Sequence, residues 1–540
     1  MSKLYTSYKQ TLPEGNWDAI IIGSGLGGLT VAACLAKQGK KCLVLEQHYV
    51  AGGYTHVFKR KDYEWDVGIH YVGEVHNSDS LLRQFFDYIT EGQLQWAEMD
   101  DVYDRIMFGD ATYDFVSGTG NWIARMKEYF PAPEDHRAID AYVDIVYQSS
   151  KAAKNFYLEK AIPKWQSWIA GGLLRKKYKK YSDQTTLEVL QNLTKNEELI
   201  GVFCGQYGDY GLTPAVSSFA MHASVVKHYF KGGAYPVGGS QRIAETINPV
   251  IEAAGGKIYV NAEVDKILVE DGKATGVRMA DGNELRADLV VSGAGLINTY
   301  NYMLEESVAR AKQLDQLIEK VKPSAAHVCL YIGMKETSEE LDLGKTNYWL
   351  YPDNYNHDES VERYLADPEN SPMPVCYISF PSAKDPDWLN RYPGKSTVEI
   401  ITLAPYEWFE KWESDRWKKR GPEYEELKEK FAQRLLNELF RIKPHLKGKI
   451  DYYELSSPLS TRHFCNYQRG EIYGIDHTPD RFQLREIRAQ TPIKNLYLTG
   501  QDLVTAGIGG ALFGGIITSS AILNTNLVKT ILNERQAATV

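Results

Sequence analysis

The sequence predicts an α/β protein built around a Rossmann-like dinucleotide-binding domain. Three consecutive features predict it: an apolar run at residues 19–22, the turn Gly23-Ser24-Gly25-Leu26-Gly27-Gly28, and an apolar helical pattern over residues 26–38. A continuously apolar strand is typical of a parallel sheet that is covered on both faces. A second apolar run at residues 41–45 completes a strand–helix–strand unit.

Three glycines of the turn each have a physical role in holding a diphosphate. Gly23 permits the sharp turn, Gly25 leaves no Cβ where phosphates approach the backbone, and Gly28 lets the helix pack closely on the sheet. The diphosphate would then lie at the helix N-terminus. The alternative is an ordinary strand-to-helix turn without a ligand, which the accompanying strand and helix disfavour.

An acid and a second glycine pair favour FAD over NAD as the dinucleotide. Glu46 follows the second strand, where a carboxylate accepts hydrogen bonds from ribose hydroxyls. The pair Gly52-Gly53 begins six residues after Glu46. Because FAD is long, a second backbone-only surface is expected near its diphosphate or ribityl chain, and most nicotinamide dehydrogenases lack one.

Two later stretches predict that the chain returns to this domain. The first contains Gly232-Gly233, a helix over residues 241–254, and strands that end at Gly293-Ala294-Gly295. The second, residues 495–518, is a short strand followed by a glycine-rich segment. We therefore predict an FAD-binding domain and an interleaved α+β substrate domain. The FAD-binding domain comprises residues 15–75, 230–300 and 488–540, and the substrate domain comprises residues 76–229 and 301–487.

Composition narrows the class of function. A chain of 540 residues exceeds one ordinary core, and its net charge of −9, without a long basic block, argues against nucleic acid as a partner. The six cysteines form no C-x-x-C pair, so neither a disulfide framework nor a metal site is predicted. The first 15 residues are polar and lack the apolar core of a secretory signal, which predicts a cytoplasmic protein.

One apolar stretch has the length of a membrane span. Residues 503–523 carry no formal charge, but they contain five glycines and follow a predicted strand. Glycine inside a helix costs about 1 kcal/mol relative to alanine. We therefore favour a glycine-rich loop and the start of a buried helix over a transmembrane span.

Longer motifs make the chain resemble a known family. They are Glu46-Gln47-His48, Ala51-Gly52-Gly53, Gly68-Ile69-His70-Tyr71, residues 218–223, residues 232–240, Ser382-x-Lys384-Asp385-Pro386, Glu407-Trp408-Phe409, Tyr473-Gly474-x-Asp476-His477 and residues 496–502. On these motifs the chain resembles the phytoene desaturase and carotenoid isomerase branch of the FAD-dependent amine oxidases, and within it the retinol saturase family. The resemblance implies an amine-oxidase-like FAD domain of the GR2 type, a substrate domain, and a long apolar polyene as substrate.

The resemblance also implies a set of FAD contacts. Val264 is expected beside the adenine, and Asp502 beside the ribityl chain or diphosphate. The alternative role for Asp502 is to cap the following helix, because aspartate is a preferred N-cap residue. The complete predicted FAD set is Gly23, Gly25, Leu26, Gly27, Gly28, Glu46, Gln47, Gly52, Gly53, Tyr54, Val264, Gly293, Gly500, Asp502, Gly509 and Gly510.

The implied reaction needs a proton donor besides the flavin. Saturating a C=C bond adds a hydride and a proton, and the flavin supplies only the hydride. By resemblance, a strand at residues 65–69 leads toward the flavin. The first candidates for the proton donor are therefore His70, Tyr71 and Glu74, and the second are His222 and Tyr235. The alternative for each is a hydrogen-bonded structural group in the core.

Residues 161–181 form a candidate membrane-facing segment. Trp165, Trp168 and Leu173 precede the basic run Arg175-Lys176-Lys177. Aromatic side chains beside lysines suit a membrane interface. The alternative is a solvated basic helix end with a few buried tryptophans.

The sequence thus predicts an FAD-dependent oxidoreductase that saturates one double bond of a retinoid-like or carotenoid-like polyene. The alternatives are carotenoid desaturation, cis-trans isomerisation, isomerisation of double bonds in unsaturated fatty acids, and non-catalytic carriage of an apolar ligand. No second complete G-x-G-x-x-G marks a nicotinamide site, so we expect a separate electron donor or reductase. We expect a cytoplasmic location with peripheral contact to the inner face of a membrane.

Overall fold

The computed structural model describes residues 5–539 and contains two main β-sheets with helices packed around them. The first sheet is parallel and draws its strands from distant parts of the chain. In spatial order they are Thr6–Ser7, Lys257–Val260, Cys42–Leu45, Ala19–Ile22, Val290–Ser292 and Leu496–Leu498. Every residue of Cys42–Leu45, Ala19–Ile22 and Val290–Ser292 is buried, which is the pattern of strands covered on both faces. The predicted α/β class is confirmed.

Helices cover the first sheet closely. Leu26–Ala36 packs against Gly507–Leu523 and Arg242–Ala253. A Cβ on Gly515 would lie 2.5 Å from the Cβ of Thr30, so only glycine permits the approach of the first two helices. Leu26–Ala36 ends two residues before the predicted end at residue 38, because the chain turns at Gly39, whose φ is +72°.

The second sheet has seven strands and carries most of the remaining chain. In spatial order they are Ile450–Ser456, His327–Met334, Ser396–Leu403, Cys376–Ser379, Asn347–Tyr351, Val102–Phe108 and Ala111–Val116. Neighbouring strands are antiparallel except Asn347–Tyr351 and Val102–Phe108, which are parallel. Every residue of His327–Met334 is buried, so this sheet is also covered on both faces.

Smaller strands and the other helices complete the fold. The strands are Val57–Arg60, Tyr63–Asp66, Val72–Gly73, Trp96–Glu98, Gly233–Pro236, Val264–Glu270, Lys273–Met279 and Glu284–Arg286. The helices are Leu81–Thr90, Thr119–Tyr129, Pro133–Glu159, Lys164–Ser182, Thr186–Leu193, Glu197–Phe203, Phe219–Tyr229, Glu306–Ala311, Leu314–Ile318, His357–Ala366, Pro381–Lys384, Trp388–Arg391, Pro422–Ile442, Pro458–Cys465, Pro479–Gln483 and Leu527–Thr539.

Two segments pack across the predicted domain boundaries. Leu81–Thr90, predicted in the substrate domain, buries Phe85 and Phe86 in the core that contains Leu26–Ala36. Conversely, Trp65, predicted in the FAD domain, packs on Tyr331 of the second sheet.

The strand predicted at residues 65–69 is wrong in its bounds. Tyr63–Asp66 pairs with Val57–Arg60 in a hairpin. Pairing stops before Gly68, where the side chain of Tyr54 lies within 3.1 Å of the position of an added Cβ.

The apolar stretch at residues 503–523 is mostly a buried helix. Leu512 and Ile516 of Gly507–Leu523 are fully buried in the core that contains helix Leu26–Ala36. Among the described helices, none is long and apolar enough to cross a bilayer alone; Gly507–Leu523 and Leu527–Arg535 meet the length and composition test only as a pair bent by 105°.

Candidate active site and cofactor cleft

A cavity of ≈ 400 Å³ extends from the carboxyl ends of the first sheet to the second sheet. Its volume lies within the usual range for small-molecule sites, about 300 to 1,000 Å³. Gly23 and Gly293 follow parallel strands and line one end, whereas Trp349 and Tyr377 of the second sheet line the other. Open α/β sheets bind their ligands at the carboxyl ends of the strands, which places a nucleotide at the first end.

Three glycine-bearing stretches meet at this first end of the cavity. Gly25 pairs with Gly52 in an isolated parallel bridge. A Cβ on Gly53 would lie 2.8 Å from the Cα of Gly25, and one on Gly27 would lie 2.6 Å from the Cα of Gly500. A side chain at Gly53 or Gly27 would therefore push the two backbone segments apart. The turn, the second pair and the C-terminal stretch thus form one surface.

Gly25 leaves room for a ligand at this surface. A Cβ added there would meet no protein atom within 4 Å, and the residue lines the cavity. Helices Leu26–Ala36 and Gly507–Leu523 also begin at the wall, and neither N-cap supplies a side-chain hydrogen bond. The Gly507 amide donates to Gln501 Oε1 at 3.2 Å, and the other amides of the two first turns are available to an anionic group. These features fit the diphosphate of FAD.

The two acids of the predicted FAD set are held by backbone amides. Glu46 Oε2 accepts hydrogen bonds from the amide and hydroxyl of Ser24, and its Oε1 accepts one from the His48 amide. Asp502 accepts hydrogen bonds from the amides of Leu296 and Ile475 at 2.7 and 3.0 Å. It therefore joins two segments of the cavity wall. Its alternative role as a helix cap is wrong, because the N-cap of Gly507–Leu523 is Ala506.

Every residue of the predicted FAD set lines this cavity, including Gln47, Val264, Gly509 and Gly510. The individual contacts of these residues with the flavin remain predictions.

Of the candidate proton donors, His70 and Tyr71 line the cavity. His70 Nδ1 lies 2.8 Å from Glu399 Oε2, although the contact is off the line of a well-formed hydrogen bond. Burial, with a contribution from Lys384, lowers the pKa of His70 to about 4. Burial raises the pKa of Glu399 to about 8. At neutral pH the pair is therefore a neutral imidazole beside a protonated carboxyl group.

Asp66 is hydrogen-bonded to Glu399 and fixes its side chain. Its amide donates a hydrogen bond to Glu399 Oε1 at 2.8 Å. Burial and the neighbouring Glu399 raise the pKa of Asp66 to about 7. The Tyr235 hydroxyl and the Ser240 amide both donate to the Asp66 carboxyl group. The Asp66 carboxyl group is thus held by the Tyr235 and Ser240 donors, and the Asp66 amide orients Glu399.

A second polar network holds Tyr71. The Tyr71 hydroxyl donates to Asp104 at 2.8 Å and lies within hydrogen-bond distance of Asp209, at 3.2 Å. Lys384 Nζ donates to the His70 carbonyl at 3.0 Å and to Ser379 Oγ at 2.7 Å, and it also contacts Asn347. Burial lowers the pKa of Lys384 to about 7. Lys384 therefore links the His70 backbone to the second sheet.

The structure places the other three candidates outside the cavity lining. Glu74 forms an ion pair with Lys227. Both ring nitrogens of His222 are taken up by tyrosine hydroxyls, those of Tyr142 at 2.7 Å and Tyr210 at 3.1 Å. Tyr235 donates to Asp66. These contacts favour the structural role that the sequence left open for each of them.

Aromatic side chains form the wall near His70. Tyr71 stacks on Tyr229 with ring centroids 4.2 Å apart, and Trp349 lies 4.4 Å from Tyr377. The Tyr377 hydroxyl is buried and has no hydrogen-bond partner among the described residues. The wall thus combines large apolar faces with few polar atoms, as an apolar ligand requires.

Sequence reasoning missed Glu399 as a member of the site. It stands in an apolar strand of the second sheet, in the run Val398-Glu399-Ile400-Ile401, and it is inaccessible to solvent. A carboxyl group in the middle of a buried strand is rare and is itself a sign of function. Lys384 was noticed only as part of a family motif.

Comparison with known proteins decides the family. The profile of the family described as Flavin containing amine oxidoreductase matches residues 26–523. The chain belongs to this family. The predicted flavin cofactor and the predicted class, an FAD-dependent oxidoreductase, are thereby confirmed, and the glycine surface is the part of the chain that suits the cofactor.

Curated relatives cover almost the whole chain. All-trans-retinol 13,14-reductase of Danio rerio is 40% identical over 96% of this chain and 87% of its own length. A Danio rerio protein named inactive all-trans-retinol 13,14-reductase is 36% identical over 96% and 88% of the two chains. Prolycopene isomerase 1 of an Oncidium hybrid is 24% identical over 94% and 84%. The predicted resemblance to the retinol saturase and carotenoid isomerase families is confirmed.

Solved structures agree on the fold. Putrescine oxidase with bound putrescine aligns with a TM-score of 0.61 at 14% identity, over 95% of this chain and 100% of its own. Cyclohexylamine oxidase from Brevibacterium oxydans aligns with a TM-score of 0.58 at 15% identity, over 94% and 99%. At these identities the likeness concerns the fold alone.

Proposed function

We propose that this flavoprotein saturates one C=C bond of a retinoid-like polyene. The observation that carries the proposal is its 40% identity, over 96% of the chain, to all-trans-retinol 13,14-reductase. The cavity supports it, because the glycine surface and the aromatic wall near His70 line one and the same cavity. Transfer of a long apolar substrate from water to such an aromatic wall is favourable.

His70 and Glu399 are the proposed source of the proton. When bound, the flavin supplies the hydride chemistry that no side chain can provide. As His70 Nε2 gives its proton to the substrate carbon, Nδ1 takes the proton of Glu399 Oε2, 2.8 Å away. The imidazole changes tautomer and never carries a full charge, which suits a buried site.

Tyr71 and Lys384 keep this donor in place. The Tyr71 hydroxyl is committed to two carboxyl groups, so we assign it an orienting role in the aromatic wall. Lys384 holds the backbone of His70 through the carbonyl. Catalytic groups work only when their own positions are fixed by such second contacts.

The mass of the product tests the proposal. The holoprotein, reduced with dithionite under anaerobic conditions, is incubated with all-trans-retinol, and the extracted retinoid is analysed by mass spectrometry. Saturation predicts a product two mass units heavier and reoxidation of the flavin in equal amount. A parallel incubation with the oxidised holoprotein tests desaturation, which would give a product two units lighter and reduce the flavin in equal amount.

Two other activities have specific support. Cis-trans isomerisation is favoured by the prolycopene isomerases at 24% identity and predicts a product of unchanged mass. Non-catalytic binding of an apolar ligand is favoured by the 36% identical relative whose name calls it inactive. In that case the retinoid would be recovered unchanged in mass and geometry, and the flavin would stay reduced.

We also propose that electrons come from a separate donor. The glycine-rich turn at residues 23–28 is the one complete dinucleotide-binding fingerprint in the sequence, and we assign it to FAD. No second fingerprint is then left for NADPH. NADPH alone should therefore leave the flavin of the purified protein oxidised under anaerobic conditions. Rapid bleaching of the flavin absorbance by NADPH would contradict this proposal.

We propose that the protein binds a membrane surface and takes up its apolar substrate there. On helix Lys164–Ser182, Trp165 is 65% exposed, and Trp168 and Leu173 are each 80% exposed. The alternative of buried tryptophans is thus wrong for this segment. Arg175 of the basic run is buried in an ion pair with Glu159, but Lys176, Lys177, Lys179 and Lys180 are exposed. Exposed aromatics beside lysines are suited to an anionic bilayer surface.

Vesicle flotation tests the membrane proposal. The protein should float with vesicles that contain phosphatidylserine and much less with neutral ones. Changing Lys176, Lys177 and Lys180 to glutamate should abolish flotation. The matched control changes three exposed lysines elsewhere, Lys312, Lys320 and Lys322, and should float like the unchanged protein. Equal loss in both variants would reject this helix as the contact and leave only a general charge effect.

A further inference from the structure

Asp209 is an acid in the wall of the main cavity. It stands in the turn Tyr207–Asp209, before helix Phe219–Tyr229, and its side chain is half-buried. Among the described residues, three acids line the cavity. Glu46 and Asp502 lie at the FAD end and are held by backbone amides. Asp209 is the third, and the glycine surface does not use it.

One carboxyl oxygen of Asp209 has no partner in the described part of the chain. Oδ2 lies 3.2 Å from the Tyr71 hydroxyl, which donates its proton to Asp104. Oδ1 accepts no hydrogen bond from a described residue, and it is not sealed off by its neighbours. Because the residue lines the cavity, a ligand there can reach this oxygen.

The surroundings of Asp209 favour a neutral carboxyl group. Burial and the neighbouring Asp104 raise the pKa of Asp209 well above its usual range, and the Tyr71 hydrogen bond opposes this in part. Lys384, the cation of this network, contacts Ser379 and the His70 carbonyl instead. A protonated carboxyl group both donates and accepts a hydrogen bond, as an alcohol does. An anionic ligand, in contrast, would add negative charge beside two acids.

Asp209 and the proposed proton donor lie on the same stretch of wall. The Tyr377 ring is 5.4 Å from the His70 ring and 6.4 Å from the ring of Tyr71, whose hydroxyl contacts Asp209. All four residues line the cavity. A polar group bound at Asp209 would therefore keep the adjoining carbons of an apolar chain near the His70 imidazole.

We propose that the Asp209 carboxyl group binds the hydroxyl group of a polyene alcohol and thereby sets the C=C bond next to that hydroxyl beside His70. This inference rests on the proposed function, since it assigns the polar end of the same substrate. The 13,14 double bond of all-trans-retinol, which the name of the 40% identical relative specifies, is one carbon away from the hydroxyl group. A hydroxyl site on the wall that also carries the proton donor fits this bond.

Binding of two matched probes tests the inference. All-trans-retinol and the hydrocarbon in which CH₃ replaces its CH₂OH group are titrated into the oxidised holoprotein, and Kd is taken from flavin absorbance and tryptophan fluorescence. Retinol should bind at least about tenfold more tightly, because a site built to hydrogen-bond a hydroxyl disfavours an analogue that lacks it. The hydrocarbon leaves water more readily, so this preference can come only from contact with the protein.

Two substitutions at Asp209 separate hydrogen bonding from shape. Asp209→Leu should remove the preference for retinol while the Kd of the hydrocarbon changes less than about twofold, since only the polar contact is lost. Asp209→Asn keeps a donor and an acceptor and should retain most of the preference. The matched control is Asp476→Leu. Asp476 is also half-buried and its pKa is also raised by burial, but it does not line the cavity, so this variant should bind both probes like the unchanged protein.

The position of the saturated bond is a second readout. The dithionite-reduced holoprotein should saturate retinol at the bond next to the hydroxyl-bearing carbon, as determined by NMR of the product. Asp209→Leu should give a mixture of positions, because the chain can then slide along the aromatic wall. A side chain that merely supported the fold would change the rate but not this position.

The outcomes separate this inference from the proposed function. Equal Kd values for the two probes, a preference that survives Asp209→Leu, or an unchanged bond position in that variant would overturn the hydroxyl site and leave polyene saturation standing. Equal loss of both probes in Asp209→Leu and Asp209→Asn would indicate that the side chain serves only to hold Tyr71, and would also overturn it. Failure of the unchanged holoprotein to bind either probe would overturn the proposed function together with the site.

Discussion

The pairing of His70 with Glu399 makes the site sensitive to pH. The ordinary pKa of a glutamate is about 4.3. Burial raises that of Glu399 to about 8, so the carboxyl group keeps its proton through the neutral range. The proposed relay works only with Glu399 protonated, because an ionised carboxylate has no proton to give to His70 Nδ1. Activity should therefore be present below pH 8 and decline as the pH rises through that value.

Glu399→Gln tests the relay directly. An amide keeps the shape of the side chain but supplies no transferable proton, and general acid catalysis is worth about 100-fold to 10,000-fold. We expect flavin reoxidation by polyene to slow by about 100-fold or more and to lose its decline above pH 8, as measured by stopped-flow absorbance from pH 6 to 10.

A second buried acid provides the control for Glu399→Gln. Burial also raises the pKa of Glu471, to about 7, but this side chain does not line the main cavity. Glu471→Gln should retain both the rate and the alkaline decline. A normal rate in Glu399→Gln, or an unchanged alkaline decline, would remove Glu399 from the relay.

At the scale of elements, we expect the strand–turn–helix unit at residues 19–36 to hold the cofactor with backbone atoms. Its glycines have no side chain that would keep the diphosphate away. Gly25→Ala separates cofactor binding from folding, because the new Cβ would meet no protein atom within 4 Å but would occupy the cavity. We expect the variant to fold with an apoprotein melting temperature close to that of the unchanged chain and to bind FAD at least about tenfold more weakly, since close approach of backbone and diphosphate requires glycine.

Gly120→Ala is the matched control for this substitution. Gly120 lies in helix Thr119–Tyr129, and an added Cβ there also meets nothing within 4 Å, but the residue does not line the cavity. It should bind FAD normally and gain about 0.4 to 1 kcal/mol of stability. Tight FAD binding by Gly25→Ala, measured by fluorescence quenching of the free flavin, would place the diphosphate elsewhere.

The arrangement of the elements also explains how far the sequence could predict this site. The part of the FAD set from Gly23 to Gly53 could be predicted to share one cavity, because these residues follow one another in or just after a local strand–helix–strand unit whose spacing is set by backbone geometry. The later members, such as Val264 and Asp502, came from the family resemblance. The bounds of some elements were misjudged, as at residues 65–69. The turns that end strands there depend on contacts with Tyr54, which no local pattern reveals.

The proton network could be predicted only in part. His70 was found from its own motif, but Glu399 reaches it through the pairing of Ser396–Leu403 with His327–Met334 and the packing of Tyr63–Asp66 on that sheet. Such long-range pairing is decided by tertiary packing and not by residue propensity. His222 and Tyr235 were candidates because histidine and tyrosine can donate protons. Their hydrogen-bond partners come from distant elements of the chain, which the sequence does not reveal.

At the scale of the whole molecule, one ligand surface is assembled from segments that are hundreds of residues apart. Gly25, Gly52 and Gly500 meet there, and Asp502 joins the amides of Leu296 and Ile475. FAD bound at this surface would contact every one of these segments, and it would bind the folded chain but not the unfolded one. Its binding free energy is then added to the stability of the fold.

Thermal unfolding with added FAD tests this coupling. Free FAD at about 1,000 times its Kd should stabilise the apoprotein by about 4 kcal/mol, and the midpoint should rise further with each tenfold increase in FAD. Riboflavin, which lacks the diphosphate and adenosine, should raise the midpoint much less, because the glycine surface and both helix N-termini would stay empty. An equal rise with riboflavin would mean that the isoalloxazine alone supplies the coupling. A midpoint that does not depend on FAD would contradict the assembly of these segments around the cofactor.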